Sequence, residues 1–203
     1  MQGTRPYPEE PSGPFPVAPT TFEDGAGRSI VVEPLGDDGP AVDALTEMYD
    51  AFDAADRAQG IPPSGETAIR RWLGPIVEHG LNVAAVPASV ADTSRTDGEV
   101  PGYVGHATLV PDTDEPAAVT DLGSIEWELA IFVLQSHQRA GIGTGLLENL
   151  LGHAATRGVE HVWLTVERWN GPAISLYERV GFETSSAERF DCEMSIRLVD
   201  QTE

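Results

Sequence analysis

The segment Gln138-Arg139-Ala140-Gly141-Ile142-Gly143-Thr144-Gly145 is the part of this sequence best suited to chemistry. It follows Leu129-Ala130-Ile131-Phe132-Val133, which reads as a strand, and precedes Leu146-Leu147-Glu148-Asn149-Leu150-Leu151, which reads as a helix. A glycine-rich turn at such a junction suits a phosphate group. Its backbone can approach the ligand closely, and the first N–H groups of the helix lack intrahelical acceptors and carry the positive end of the dipole. The segment is not a P-loop, which ends in Gly-Lys-Ser/Thr, because the chain contains no lysine. The spacing Gly141-x-Gly143-x-Gly145 also departs from the G-x-G-x-x-G dinucleotide fingerprint. Plain turn chemistry produces glycines before helices too, so the residues downstream decide.

Val159 to Val166 reads as a further strand, followed by Asn170-Gly171-Pro172-Ala173-Ile174-Ser175-Leu176-Tyr177-Glu178-Arg179-Val180-Gly181-Phe182. Gln138, Gly141 and Gly143 fit Q/R-x-x-G-x-G/A, and Asn170, Ala173, Tyr177, Gly181 and Phe182 fit N-x-x-A-x-x-x-Y-x-x-x-G-F. In this order the two motifs resemble those of the GNAT-type N-acetyltransferase superfamily. The resemblance is specific over about Gly102 to Leu198 and looser from Ser29 onward.

The resemblance implies acetyl-CoA, or another acyl-CoA, as donor. Its pyrophosphate would lie on backbone N–H groups of Arg139, Ala140, Gly141, Ile142, Gly143, Thr144 and Gly145, with Gln138 and Arg139 helping from the side. The backbone of Ala130, Ile131, Phe132 and Val133 would pair with the strand-like pantetheine arm. Asn170 would hydrogen-bond the cofactor near the splay, although it reads equally well as a turn or helix-cap residue.

Acyl transfer to an amine requires a proton acceptor, a stabiliser for the thioester oxygen and a proton for the departing thiolate. Glu128, at a strand position where many family members carry a glutamate, is the candidate base. Glu126 shares its strand face and is the alternate; both also suit a plain acidic surface. Tyr177 matches the family tyrosine that protonates the CoA sulfur, and otherwise reads as an interior tyrosine. A backbone N–H of Phe132 or Val133 would stabilise the oxygen. His79, His106, His137, His153 and His161 show no metal-ligand spacing, so no metal is expected. Cys192 lies in an alternating run that suits a buried, inert thiol.

These residues need a scaffold. Helical periodicity marks Pro40 to Gln59, Gly65 to Glu78 and the run from Ile142 to Arg157, with Pro75 expected to end or kink the second. Strands are expected at Ser29–Glu33, Leu81–Val86, Tyr103–Val110, Ser124–Val133, Val162–Val166 and Phe190–Val199, with a further one after Phe182. Ala91 to Val100 reads as a hairpin loop, and Pro172 and Gly181 as the start and stop of the last helix. The result is an α+β fold with a GNAT-like mixed central sheet. A splayed parallel strand pair would flank the helix from Ile142 and form the acyl-CoA cleft. Tyr49, Phe52 and Trp72 belong to core helices that in this family also wall the acceptor site. Residues 1–28, with six prolines from Pro6 to Pro19, read as an extended or disordered arm before a domain at 29–203.

With 33 acidic and 12 basic residues, the net charge is −21. Such a chain repels nucleic acid and anionic membranes. It has no apolar run of the ~18 residues a membrane span needs, and no signal peptide is evident, so a cytoplasmic location is the default. The acids are spread along the chain and every cation is arginine, a composition resembling salt-accumulating archaea and also within reach of a high-GC actinobacterium; attraction of a cationic substrate is the other reading of the charge. The expected activity is N-acetylation of a small-molecule primary amine. A protein lysine or N-terminal acceptor, or a non-catalytic acyl-CoA sensor, remain the alternatives. Family members often dimerise, which makes a homodimer the corresponding expectation for assembly.

Overall fold

The structure, a computed structural model, describes residues 5–36, 39–52, 62–91 and 102–201. One mixed sheet has the strand order β1-β2-β3-β4-β5-β6-β8-β7. The strands are β1 (Thr20–Glu23), β2 (Ser29–Pro34), β3 (Leu81–Pro87), β4 (Gly105–Pro111), β5 (Glu126–Val133), β6 (His161–Glu167), β7 (Glu183–Ala187) and β8 (Asp191–Arg197). The helices are α1 (Gly39–Asp50), α2 (Glu66–His79), the single turn α3 (Ala88–Ala91), α4 (Ile142–Ala155) and α5 (Gly171–Val180). Neighbouring strands are antiparallel except β5 and β6, as a strand–helix–strand crossover through α4 requires.

Two-residue alternation sorts the strand side chains onto two faces. Val83, Ala85, Ala107, Leu109, Trp127, Leu129, Val162 and Leu164 join Leu146, Leu147, Leu150 and Leu151 of α4 in the larger core. Ala84 and Val86 point the other way and pack with Leu45, Met48, Tyr49, Ile69 and Leu73 of α1 and α2. Both faces of β3 are therefore covered, and Asn82 to Val86 are all buried. Full burial of each large apolar side chain contributes roughly 1.5–3 kcal/mol.

Pro75 does not end α2, which runs on to His79. The ring is exposed, and the Arg71 carbonyl that it leaves without a helix donor is on the solvent side. The first helix ends at Asp50 and gives way to a turn at residues 51–52, short of its expected end at Gln59; residues 53–59 and most of the expected loop from Ala91 to Val100 lie outside the described residues.

The domain boundary expected after residue 28 is displaced. Residues 5–28 are extended, but they are built into the fold. Thr20–Glu23 pairs with Ser29–Val32 and adds a sheet edge. Ser12 forms a parallel bridge with Leu198, and Phe22 packs against the larger core. The prolines that mask this in the sequence hold the chain extended, which a strand entry also needs. The segment passes so close to α4 that a Cβ on Gly152 would run into the carbonyl oxygen of Pro16. Gly152→Ala should therefore cost about 1–3 kcal/mol of unfolding free energy in urea denaturation. An unchanged midpoint would mean that the segment is not packed there.

Candidate active site

Pairing between β5 and β6 stops early. Only Glu126, Trp127 and Glu128 are in register with His161, Val162 and Trp163. Beyond that point β5 runs on to Val133, held on its other side by β4 as far as Gly105. The two strands part around a cavity of about 250 Å³. Its lining includes Glu128, Ala130, Phe132, Thr165, Asn170 and Tyr177.

The register also identifies which backbone groups face the opening. Leu134 N–H donates to the Val104 carbonyl at 2.9 Å, and Asp112 N–H to the Glu126 carbonyl at 2.9 Å. In an antiparallel ladder such bonds recur at alternate residues, so the even-numbered residues of β5 spend their N–H and C=O groups on β4. The groups on the free edge are those of Leu129, Ile131 and Val133. Phe132 is thereby corrected as a backbone donor, although its side chain lines the cavity. Of the two expected oxygen stabilisers, only Val133 has its N–H on this edge.

The glycine-rich loop caps the opening. A short 3₁₀ turn at Gln135–His137 leads to Arg139 with φ +57° and Gly141 with φ +91°. This left-handed backbone turns successive N–H groups inward, as in anion-binding nests. Gly141 is the N-cap of α4 and supplies no side-chain cap. The first helical bond runs from Gly145 N–H to the Gly141 carbonyl at 3.1 Å, so the N–H groups of Ile142, Gly143 and Thr144 have no acceptor within the helix. They border a cavity of about 520 Å³ lined by Gln138, Arg139, Gly141, Gly143 and Thr144, by Ile131 and Val133, and by one face of α5.

Three loop residues have other tasks. The Ala140 carbonyl accepts from Gly25 N–H at 2.8 Å, and the Ile142 side chain is wholly in the core. Gly145 spends its N–H in the helix and faces Phe22, whose ring would lie 2.6 Å from an added Cβ. Gly145 is thus required by packing rather than as a phosphate donor. Gln138 reaches back, its Nε2 donating to the Val133 carbonyl at 3.0 Å.

Asn170 is the cap of α5 and also faces the opening. Its side chain accepts from Ala173 N–H at 3.3 Å and caps α5, and it lines both cavities. Tyr177, one face further along α5, is 8% exposed and borders the inner cavity. Burial pushes its phenol up to about 12, so it is protonated at neutral pH. Glu128 opens onto the same cavity. Partial burial and the charge of Asp112 raise its carboxyl above the usual glutamate value, partly countered by Arg5. The alternate, Glu126, is ion-paired with Arg5.

On the face of the sheet to which Glu128 points, Phe132 contacts an aromatic group of Tyr49, Phe52 and Trp72, with ring centroids 5.3, 6.1 and 5.9 Å away. Tyr49 is wholly buried and Phe52 nearly so; only Trp72 is partly exposed. The Tyr49 hydroxyl donates to His106 Nδ1 at 2.6 Å. His106 Nε2–H donates to Asn82 Oδ1 at 3.1 Å, and Asn82 Nδ2 donates to the Ile76 carbonyl at 3.0 Å. Burial lowers the imidazole to about 3, so this chain is neutral and pins α1 and α2 onto the sheet. Tyr49 is a core residue, not an acceptor contact.

Arg179 is not among the residues that the two motifs single out. It follows Pro172, Ser175 and Leu176 on the helix face that lines the outer cavity, a pattern a helical projection of the second motif contains. Among the described residues, no group of three or more His, Cys, Asp or Glu is arranged to hold a metal, and none of the helices is long and apolar enough to cross a membrane.

The family model described as "Acetyltransferase (GNAT) family" matches residues 68–182, and the chain belongs to that family. It is 42% identical over 59 residues to the [ribosomal protein bS18]-alanine N-acetyltransferase of Escherichia coli K12, covering 29% of this chain and 40% of that protein. It is 42% identical over 52 residues to the streptothricin acetyltransferase of Streptomyces lavendulae, covering 26% and 28%. The chain thus spans less than half the length of these curated relatives. Among solved structures, the GNAT domain of S. lividans PAT superposes with a TM-score of 0.64 at 16% identity, covering 88% of this chain and 96% of that one. A putative acetyltransferase from Salmonella typhimurium, solved with its cofactor acetyl-CoA, gives 0.57 at 14% identity, covering 86% and 96%. These two likenesses establish the fold.

An added Cβ at Gly143 would point between Leu176 at 3.4 Å and Ile131 at 4.0 Å, toward the outer cavity. Gly143→Glu should leave the fold intact and weaken acetyl-CoA binding at least about tenfold by calorimetry, because a carboxylate would enter an anion cradle. Unchanged affinity would remove the loop as the phosphate site.

Proposed function

We propose that this protein is an acetyl-CoA-dependent N-acetyltransferase acting on a primary amine of a small molecule by direct attack. The observation that carries the reading is the parting of β5 from β6 immediately after Glu128, opening a cavity that both Glu128 and Tyr177 line. An acyl-CoA fits this arrangement. The free edge offers the N–H and C=O groups of Leu129 and Ile131 and the N–H of Val133, whose carbonyl is taken by Gln138, to a pantetheine amide chain. The unbonded N–H groups of Ile142 to Thr144, with Arg139 and Arg179, would hold the phosphates. When bound, acetyl-CoA supplies an activated acyl carbon and a thiol leaving group.

The remaining steps belong to the chain. Glu128 takes a proton from the ammonium, directly or through one water, which frees the nitrogen lone pair. A nitrogen–carbon bond then forms as the carbon–sulfur bond breaks. The Val133 N–H faces the negative charge developing on the thioester oxygen. Tyr177 O–H gives its proton to the departing thiolate, and the surplus proton on the acylated nitrogen passes through water to the tyrosinate, which restores the phenol. Glu126 is committed to Arg5 and is not among the residues that line the cavity.

A protein α-amine acceptor is the second reading, favoured by the similarity to an enzyme named for the alanine of a ribosomal protein. A small amine is favoured by the similarity to an enzyme named for streptothricin. An amine panel that includes short peptides, scored by CoA release, separates them; transfer to peptides alone would reverse the choice. We also propose a cytoplasmic location and a surface adapted to high salt, since a charge of −21 repels an anionic donor less when the Debye length is short.

Tyr177→Phe should lower kcat at least about tenfold while acetyl-CoA affinity changes little. Unchanged turnover would take Tyr177 out of the proton-donor role. If neither Tyr177→Phe nor Glu128→Gln lowers CoA release, both residues leave the proton-transfer roles; if the unaltered protein releases no CoA with any amine of the panel, the transferase reading fails and a sensor remains.

A further inference from the structure

The segment before β1 lies across one half of the sheet. Ser195 Oγ donates to the Pro6 carbonyl at 2.8 Å, Arg197 donates to the Glu9 carbonyl at 2.9 Å, and Tyr7 meets His161 edge-on at 4.6 Å between centroids. Register puts His161, Trp163 and Ser195 on the face to which Glu126 and Glu128 also point. The segment therefore covers β6 and β8 on that face, while α1 and α2 cover β3 and β4. Arg5, the first of the segment's described residues, lies among the carboxylates that neighbour Glu128. Its guanidinium lies 3.7 Å over the Trp163 ring, and its side chain is only 14% exposed. It is ion-paired with Glu126, with Glu193 at 3.0 Å and with Asp112 at 3.7 Å. Of the four carboxylates gathered here, only Glu128 has no ion-pair partner among the described residues. The family match begins at residue 68, well after this segment.

We propose that Arg5 is a positioning residue of the active site: it ties Asp112, Glu126 and Glu193 to the Trp163 stack and leaves Glu128 as the one uncommitted carboxylate facing the cleft. The proposal rests on Glu128 being the base. An arginine suits the task because its flat fork binds two carboxylates at once and stacks on an indole, which an ammonium does poorly. Charge reinforces the geometry. Burial and Asp112 raise the Glu128 carboxyl, and Arg5 opposes them. The other titratable groups on this face are Glu126, His161, Glu167, Asp191, Glu193, Arg197 and Tyr7, with His106 and Tyr49 under α1 and α2, Asp112 at the end of β4 and Tyr177 across the cavity. None of them is itself substituted in an Arg5 variant, so the lost cation is the change that the variant isolates. Without Arg5 the three neighbouring carboxylates are left uncompensated, so Glu128 holds its proton to higher pH and the base is lost there.

The test is the pH dependence of kcat/KM for the full chain and for Arg5→Gln, Arg5→Lys and Glu128→Gln. Arg5→Gln should move the acidic limb up by roughly half a pH unit or more. Arg5→Lys should move it less, in the same direction, and it decides the matter if Arg5→Gln does not fold. Glu128→Gln should lack the limb. A limb unmoved in both Arg5 variants, with Glu128→Gln lacking it, overturns the role of Arg5 and keeps Glu128. A limb retained in Glu128→Gln overturns the assignment of the base itself.

Discussion

The site depends on a backbone constraint: a strand edge inside a folded protein must find hydrogen-bond partners. β5 satisfies one edge against β4 along its length and the other against β6 for only three residues. Past Glu128 the groups of Leu129, Ile131 and Val133 face an opening. An unpaired internal edge is costly unless solvent or a ligand fills it. An extended amide-bearing ligand fills it as a further strand would. Glu128 marks the last pair, and Tyr177 and Asn170 reach the gap from α5. The chemistry we propose is located by where pairing ends.

Anion recognition in so acidic a chain follows from the same preference for backbone over side chain. No lysine is present, and with a net charge of −21 the surface disfavours an anionic ligand. N–H groups at the start of α4 carry no formal charge to be neutralised by neighbouring acids. They are fixed by Arg139 and Gly141 in left-handed conformations and by the Gly145 bond that starts the helix. Among the described residues two arginines, Arg139 and Arg179, border the cavity, so fixed dipoles carry much of its positive potential.

The two halves of the opposite face are stabilised differently. Over β3 and β4 a neutral buried chain from Tyr49 through His106 to Asn82 joins α1 and α2 to the sheet. Over β6 and β8 a charged cluster around Arg5 joins the N-terminal segment to the sheet. A desolvated neutral network favours one rigid packing. A partly exposed cluster of one cation and several acids adjusts local charge instead. Glu128 lies between the two and feels both the fixed wall and the electrostatics.

Local rules make much of the site legible in the residues. Gly141 and Gly143, Asn170, Pro172 and Gly181 mark helix boundaries, so the loop and α5 can be read directly from the chain. Alternation marks Glu126 and Glu128 as sharing one strand face. Tertiary structure decided what separates those two glutamates. One is bound by Arg5 and the other opens on the cavity, because residue 5 returns over a strand that lies 121 positions later. It assigned Gly145 to packing against Phe22, chose Val133 over Phe132 for the free backbone edge, and buried Tyr49 beside His106. It also turned a proline-rich arm into a sheet edge. Local sequence determines conformation over a few residues through sterics and hydrogen bonding. Which partners meet, and which groups remain unpaired, depends on contacts between distant segments that exist only in the folded chain.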